Sequence, residues 1–117
     1  MKNLSKYRDE FLNLEFERKL EFYRKKKLLK IVSELKYNSV LEIGSGIDSL
    51  CNYLDNNLSY TIVEPIKEFC DLAIKNNKKN VNLKVYNSFI EDFKSKKCFD
   101  LIIVNCLLHE IHDKLKF

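Results

Sequence analysis

Apolar residues in the first third of the chain recur at helical spacing. Residues 5–35 contain neither glycine nor proline, and their apolar side chains follow one another mostly in steps of three and four. Such steps place side chains on one face of a helix. The residues concerned are Leu12, Phe16, Leu20, Tyr23, Leu28, Ile31, Val32 and Leu35. The pattern predicts one long helix, or two helices in sequence.

Four short apolar runs in the rest of the chain have the pattern of strands. They are residues 39–43, 59–64, 81–86 and 99–104. The first ends at a glycine, the third alternates apolar and polar positions, and the fourth, FDLIIV, carries three β-branched residues in a row. Because β-branched runs are typical of buried strands, we expect the fourth run to be fully buried.

Helical patterns separate these runs. Residues 48–57 predict a short helix that begins at an Asp or Ser N-cap, and Pro65 suits the start of a helix over residues 66–77. Residues 88–93 predict a turn or short helix, and residues 105–117 the start of another helix. Strands that alternate with helices form right-handed βαβ units and a parallel sheet, which binds ligands at the carboxyl ends of its strands. The sequence therefore predicts an α/β fold.

Composition narrows the class of protein. With 117 residues the chain is long enough for a single domain. We assign residues 37–117 to an α/β domain and residues 1–36 to an N-terminal helical extension.

No apolar window is long enough to span a membrane, and MKNLSKYRDE is too charged for a secretory signal, so we expect a cytoplasmic protein without membrane association. The four cysteines form no CxxC pair, so we interpret them as reduced and mostly buried.

A glycine turn follows the first predicted strand. Gly44-Ser45-Gly46 lets a ligand approach the backbone closely, because glycine has no Cβ. Glu64 lies 20 residues after Gly44, at the end of the second predicted strand, where a carboxylate can accept hydrogen bonds from the hydroxyls of a ribose. Together these features predict an adenosine-type ligand rather than a plain turn with a surface glutamate.

The residues around the turn distinguish between nucleotides. A dinucleotide fingerprint has a third glycine or alanine where this chain has Ser49, and usually an apolar residue where it has Glu42. Asp48 would also repel a phosphate, whereas acidic residues suit a ligand that carries ammonium and sulfonium cations. The turn therefore favours a cationic adenosyl compound over NAD.

At this point the sequence resembles the class I S-adenosylmethionine-dependent methyltransferases. Their first motif reads acid-x-Gly-x-Gly after a strand, as residues 42–46 do, and Glu64 stands at the position of the family's ribose-binding acid. Residues 87–93 resemble the family's adenine-contacting segment. Residues 99–104 and 107–111 resemble its fourth strand and the LxH segment typical of many small-substrate members. The resemblance implies a Rossmann-like fold and a methyl transfer to a small-molecule acceptor.

The resemblance also implies roles for individual residues. The turn with Glu42, Gly44, Ser45 and Gly46 would hold the methionine part of the cofactor S-adenosyl-L-methionine, and Glu64 would hold its ribose. The remaining cofactor-binding candidates are Pro65 and Ile66 on one face of the adenine, Ser88 and Phe89 at its edge, and Asn105. The chain departs from the family pattern at Asp48, where a third glycine is frequent, and at Ser88, where an aspartate is frequent.

Methyl transfer from a sulfonium depends mainly on alignment, although an acceptor can also need a base. Asn105 and His109 are the catalytic candidates, His109 because imidazole titrates near neutrality. A structural role for His109 is the favoured alternative. His109 and His112 are three residues apart rather than the four of HExxH, so no metal site is predicted.

Four predicted strands are fewer than the seven of the family fold, so we expect a chain truncated before the last three strands. The fourth strand would then offer an exposed edge to a second copy or a completing chain. This leaves a non-catalytic module that binds S-adenosylmethionine or a partner as an alternative to an enzyme.

The N-terminal segment carries an excess of positive charge. Residues 1–36 hold 11 Lys or Arg against 6 Asp or Glu, and residues 37–117 hold 10 against 11. Nucleic-acid binding, and with it an RNA-directed methyltransferase, is one interpretation. The acids Glu15, Glu17 and Glu21 favour a solvated helix face with charge pairs instead. Tyr7, Phe11 and Tyr23 are candidate contacts to the cofactor or acceptor site.

Overall fold

The computed structural model describes residues 15–104, apart from the side chains of residues 15–18 and 21. The chain divides into two compact units, Met1–Lys36 and Tyr37–Phe117. In the first unit, helix α1 spans Glu15–Val32, and Ser33 Oγ donates a hydrogen bond to the Lys30 carbonyl at its end. The predicted helix is confirmed over this range.

The second unit is built on a parallel sheet. Its strands are β1 (Ser39–Ile43), β2 (Ser59–Val63), β3 (Leu83–Tyr86) and β4 (Leu101–Val104). They lie in the order β3-β2-β1-β4, and each pair of neighbours is parallel. The connections contain a 3-10 helix over Leu50–Tyr53, helix α2 over Lys67–Asn76 and a 3-10 helix over Ile90–Asp92. The predicted α/β, Rossmann-like architecture is confirmed.

The core of this unit lies along the two central strands. Val40, Tyr60 and Ile62 have no exposed surface, and Val63 is 1% exposed. Strands covered on both faces lose the alternation of apolar and polar residues, which explains why β1 and β2 stood out in the sequence as continuous apolar runs. The carboxyl ends of β1 and β2 are therefore fixed by the buried residues that precede them.

The expectation of full burial for the fourth strand is wrong. Within β4 only Ile103 is buried, and Ile102 is 54% exposed. Among the described strands β4 lies at one end of the sheet and pairs with β1 alone, so its side chains have a strand neighbour on one side only. Its β-branched composition reflects strand propensity rather than burial.

Asp100 joins β1 to β4 at the amino ends of the strands. Its Oδ2 accepts hydrogen bonds from the backbone N–H of Asn38, at 2.8 Å, and of Ser39, at 3.2 Å. The backbone N–H of Asp100 donates to Ser39 Oγ at 2.9 Å. This connection lies at the opposite edge of the sheet from the glycine turn.

The structure also shows the state of the cysteines and the hydropathy of the helices. Cys51, Cys70 and Cys98 are free thiols, the first two buried and the third exposed, while Cys106 lies outside the described residues. No helix in the described range 15–104 is long and apolar enough to cross a bilayer.

Candidate cofactor site

The turn after β1 adopts a backbone conformation that favours glycine. Gly44 has φ 80° and Gly46 has φ 65°, in the left-handed region where a Cβ costs about 1–2 kcal/mol. The Gly44 N–H donates to the Val63 carbonyl at 2.9 Å, which joins the turn to the end of β2. A Cβ built on Gly46 would meet no described atom within 4 Å. Open space therefore lies beside the backbone at the carboxyl ends of β1 and β2.

Glu42 supports the turn from within the fold. Its side chain has no exposed surface. Oε1 accepts hydrogen bonds from Ser49 Oγ at 2.6 Å and Tyr60 Oη at 2.9 Å, and Oε2 accepts one from the Leu50 N–H at 3.3 Å. Burial, together with the Glu42 charge and hydrogen bond, raises the pKa of Tyr60, which keeps its phenol protonated and able to donate. This placement favours a positioning role for Glu42 over the expected direct contact with a ligand.

Ser49 explains why this turn lacks the third glycine of a dinucleotide site. It is the N-cap of the 3-10 helix Leu50–Tyr53, and its Oγ accepts a hydrogen bond from the Cys51 N–H at 3.1 Å. The same hydroxyl donates to Glu42, so one side chain joins the strand to the helix. Burial and the nearby Glu42 charge raise the pKa of the Cys51 thiol to about 12, which leaves it protonated.

Asp48 belongs to a polar connection between the turn and helix α2. It accepts hydrogen bonds from Asn52 Nδ2, at 2.8 Å, and from the Tyr53 hydroxyl. Asn52 Oδ1 in turn accepts one from Asn77 Nδ2 at 2.6 Å, and Asn77 also donates to the Ala73 carbonyl. The pKa of Tyr53 is raised, mainly because its hydroxyl donates to Asp48. Asp48, which stands where the family often has a glycine, is thus bound by two residues of the 3-10 helix Leu50–Tyr53.

Glu64 connects the end of β2 to the glycine turn. Its Oε1 accepts a hydrogen bond from the Gly46 N–H at 3.0 Å, and its Oε2 accepts one from the Ile66 N–H at 2.9 Å. The side chain is 3% exposed, and this burial raises the pKa of its carboxyl group although the surrounding N–H donors oppose the shift. The acid predicted from the sequence therefore lies directly against the predicted turn.

Ser45 contributes a buried hydroxyl beside this carboxylate. The residue has no exposed surface, and its Oγ forms no hydrogen bond of ordinary geometry with the described residues. It lies close enough to Glu64 to lower the pKa of that carboxyl group. Ser45 is therefore part of the buried polar surroundings of the Glu64 carboxylate.

The segment after β3 is attached to the end of β2. Asn87 Nδ2 donates to the carbonyls of Glu64, at 3.0 Å, and Pro65, at 2.9 Å. The Ser88 N–H donates to the same Glu64 carbonyl at 3.1 Å, and Ser88 Oγ donates to the Phe89 carbonyl at 2.7 Å. Ser88 and Phe89, predicted from the resemblance, are thereby brought beside Glu64 and Pro65.

The candidates separate into two groups. The structure brings together the turn, the β2 end and the β3 end, whereas Asn105, His109, Tyr7 and Phe11 lie outside the described residues. Sequence reasoning missed Tyr60, and it placed Asn87 in the adenine-contacting segment without a role of its own. A tyrosine inside a buried strand was the available signal for Tyr60, because its hydroxyl needs a buried partner.

A comparison with protein families identifies the chain. The family model described as "Methyltransferase domain" matches residues 41–117, well over half of the sequence. The chain belongs to this methyltransferase family. The resemblance to class I S-adenosylmethionine-dependent methyltransferases is thus confirmed. No curated protein matches the sequence at a significant level.

Solved structures share the fold of this methyltransferase domain. The N-methyltransferase NodS from Bradyrhizobium japonicum WM9, in complex with S-adenosyl-L-homocysteine, is 22% identical with a TM-score of 0.70. The match covers 92% of this chain and 54% of NodS, so the domain spans about half the length of that relative. The CurJ carbon methyltransferase is 18% identical with a TM-score of 0.62, covering 97% of this chain and 34% of CurJ. Coclaurine N-methyltransferase is 19% identical with a TM-score of 0.56, covering 72% and 26%.

Proposed function

We propose that this methyltransferase domain binds S-adenosyl-L-methionine at the carboxyl ends of β1 and β2 and transfers its methyl group to a small-molecule acceptor. The observation that carries the proposal is the hydrogen bond from the Gly46 N–H to Glu64 Oε1, beside the open space at Gly46. This hydrogen bond fixes the Glu64 carboxylate at the position proposed for binding the ribose hydroxyls. Glu64 thereby lies next to the Gly46 backbone, which a ligand can approach closely.

The residues present fit the cofactor. The Gly46 and Ile66 N–H groups hold the Glu64 carboxylate at the end of β2, where the resemblance places the acid that accepts hydrogen bonds from the ribose hydroxyls. Ser45 is buried beside Glu64 and lowers the pKa of its carboxyl group, which favours the charged form that accepts hydrogen bonds. Gly46 leaves room on the ligand side. In our proposal Pro65 and Ile66 contact one face of the adenine, and Ser88 and Phe89 its edge.

The chemistry requires positioning more than acid or base groups. The bound cofactor supplies an electrophilic methyl on a sulfonium, and the fold fixes its orientation through the rigid ends of β1 and β2. Among the groups of the chain, Glu64 and the turn hold the cofactor, and Glu42 holds the turn. Asn105 and His109 stay the candidates for the acceptor side. The small-molecule acceptor is inferred from the resemblance of residues 107–111 to the LxH segment.

Calorimetric titration with S-adenosylhomocysteine tests the cofactor proposal. We expect saturable binding by the folded chain and a loss of about tenfold or more in affinity for Glu64→Gln, because a carboxamide offers one acceptor oxygen instead of two. Glu68→Gln is the matched control, since Glu68 is an exposed acid in the first turn of α2. No binding at millimolar ligand, or equal affinity for both variants, would contradict the proposal.

Exposure at β4 favours a second candidate, an interaction module that binds a second copy or a partner chain through this strand. Ile102 is 54% exposed on the strand that ends the described sheet. Ile102→Lys should then shift the elution volume of the chain toward a smaller species. Ile74→Lys is the control, because Ile74 is 51% exposed on α2. An elution volume that Ile102→Lys leaves unchanged argues for the first candidate alone.

A further inference from the structure

Helix α1 carries an exposed row of aromatic and basic side chains. Phe22, Tyr23, Lys26, Lys27 and Lys30 are spaced so that each lies one turn or a neighbouring position from the next, on one side of the helix. All five are exposed, and the two aromatic residues are 63% and 57% exposed. We call these five residues the basic stripe. A helix face that is only solvated has no need of exposed aromatic rings, so the two rings in the basic stripe indicate a binding surface.

The charge around the stripe is of one sign. Residues 22–33 contain four lysines and one arginine and no acidic residue, with Glu21 and Glu34 as the nearest acids in sequence. The interpretation of a solvated face with charge pairs rested on Glu15, Glu17 and Glu21, which all precede the stripe. Lys26, Lys27 and Lys30 form no ion pair with the side chains described in the structure. The positive charge of these three lysines is therefore available to an anion.

The two rings are in contact with lysines of the stripe. Lys26 Nζ lies 5.3 Å from the centroid of the Phe22 ring, and Lys27 Nζ lies 4.8 Å from that of Tyr23. Such contacts place a cation beside each ring while more than half of each side chain stays exposed. A base that stacks on either ring would thus bring its phosphate near an ammonium group.

We propose that the basic stripe binds single-stranded nucleic acid, with lysines on the phosphates and Phe22 and Tyr23 stacked on bases. Proteins that bind single strands combine these two groups in the same way. An anionic bilayer is the competing partner, but an interfacial helix needs an apolar face to bury. Here each ring lies against an ammonium group, an arrangement that suits a base stacked beside its own phosphate better than a continuous apolar face. Ile31 is also exposed beside the stripe, which makes vesicle binding a necessary comparison. The proposal is independent of the cofactor site.

Fluorescence anisotropy with a fluorescein-labelled 12-nucleotide oligouridine tests the proposal. We expect the full chain to bind at 50 mM salt, with the logarithm of the affinity falling against the logarithm of the salt concentration with a slope of about −2, for three phosphate contacts at ~0.7 each. Lys26→Gln with Lys27→Gln should reduce the slope by about 1.4. The matched control is Lys78→Gln with Lys79→Gln, which removes the same charge from two exposed neighbouring lysines elsewhere.

A second variant tests whether Phe22 and Tyr23 stack on bases. Phe22→Leu with Tyr23→Leu keeps apolar volume but removes the rings, so affinity should fall about fivefold or more while the salt slope stays the same. Circular dichroism checks that each variant keeps its helix. The proposal is overturned by no binding at 50 mM salt, by equal weakening in the Lys78/Lys79 control, or by stronger binding to phosphatidylserine vesicles than to oligouridine.

Discussion

Tyr60 and Glu42 face each other across two central strands, with the tyrosine hydroxyl 2.9 Å from Glu42 Oε1 and both side chains without exposed surface. Tyr60 is thus a donor that fixes the carboxylate on which Ser49 and Leu50 depend. These hydrogen bonds fix the start of the 3-10 helix that follows the glycine turn. They are formed below the candidate cofactor site, by residues of the buried core.

Removing the Tyr60 hydroxyl should therefore loosen the turn. Tyr60→Phe leaves Glu42 with one buried hydrogen bond fewer, which we expect to cost about 1–3 kcal/mol in the free energy of unfolding, measured by urea denaturation. Amide hydrogen exchange at Leu50 and Cys51 should increase. Thr61→Val is the control, since Thr61 is a buried hydroxyl residue next along β2 that makes none of the hydrogen bonds to Glu42 described above. Unchanged exchange at Leu50 in Tyr60→Phe would refute this role.

Gly46→Ala should separate stability from ligand binding. The methyl group enters open space, so the unfolding free energy should fall by only about 1–2 kcal/mol, the cost of a positive φ. In our proposal the cofactor occupies that space, and affinity for S-adenosylhomocysteine should fall by about tenfold or more. Thermal unfolding and calorimetry measure the two effects. An alanine variant with intact affinity would mean that the ligand lies elsewhere.

Glu64 should give the fold a characteristic pH dependence. Because burial raises the pKa of its carboxyl group above the ordinary value of 4.5, the folded chain holds this proton at pH values where the unfolded chain has lost it. Its contribution to stability should therefore decrease as the pH rises from about 4.5 through the raised pKa, and Glu64→Gln should lack that decrease. Denaturation curves across this range, for both proteins, provide the measurement. Parallel pH profiles would show that Glu64 is not the group responsible.

Asp100 should matter for stability and not for the cofactor site. Asp100→Ala removes the acceptor for the N–H groups of Asn38 and Ser39, which should cost about 1 kcal/mol. Affinity for S-adenosylhomocysteine should be unchanged, because the connection lies at the other edge of the sheet. Asp55→Ala, which removes an exposed acid bonded only locally to Asn57, should cost less. Equal losses for the two variants would mean that Asp100 does not hold β4 against β1.

The sequence was sufficient to predict the strands, the glycine turn and Glu64, because each has a local pattern. Apolar runs ended by breakers define strands, and a carboxylate at the end of β2 follows from spacing alone. The partners of Glu42 could not be predicted, since Tyr60 meets it only through the register of β1 and β2, which pairs Glu42 with Ile62. The prediction that β4 is fully buried was wrong for a related reason, because composition does not show which of the described strands lies at the end of the sheet.

The order β3-β2-β1-β4 also has a kinetic consequence. β1 pairs with β2 across about twenty residues of chain, but with β4 from Val40 to Leu101. Closing the longer loop costs more entropy and slows folding. We therefore expect β1, β2 and β3 to assemble first, so that the glycine turn and Glu64 meet before the last described strand docks.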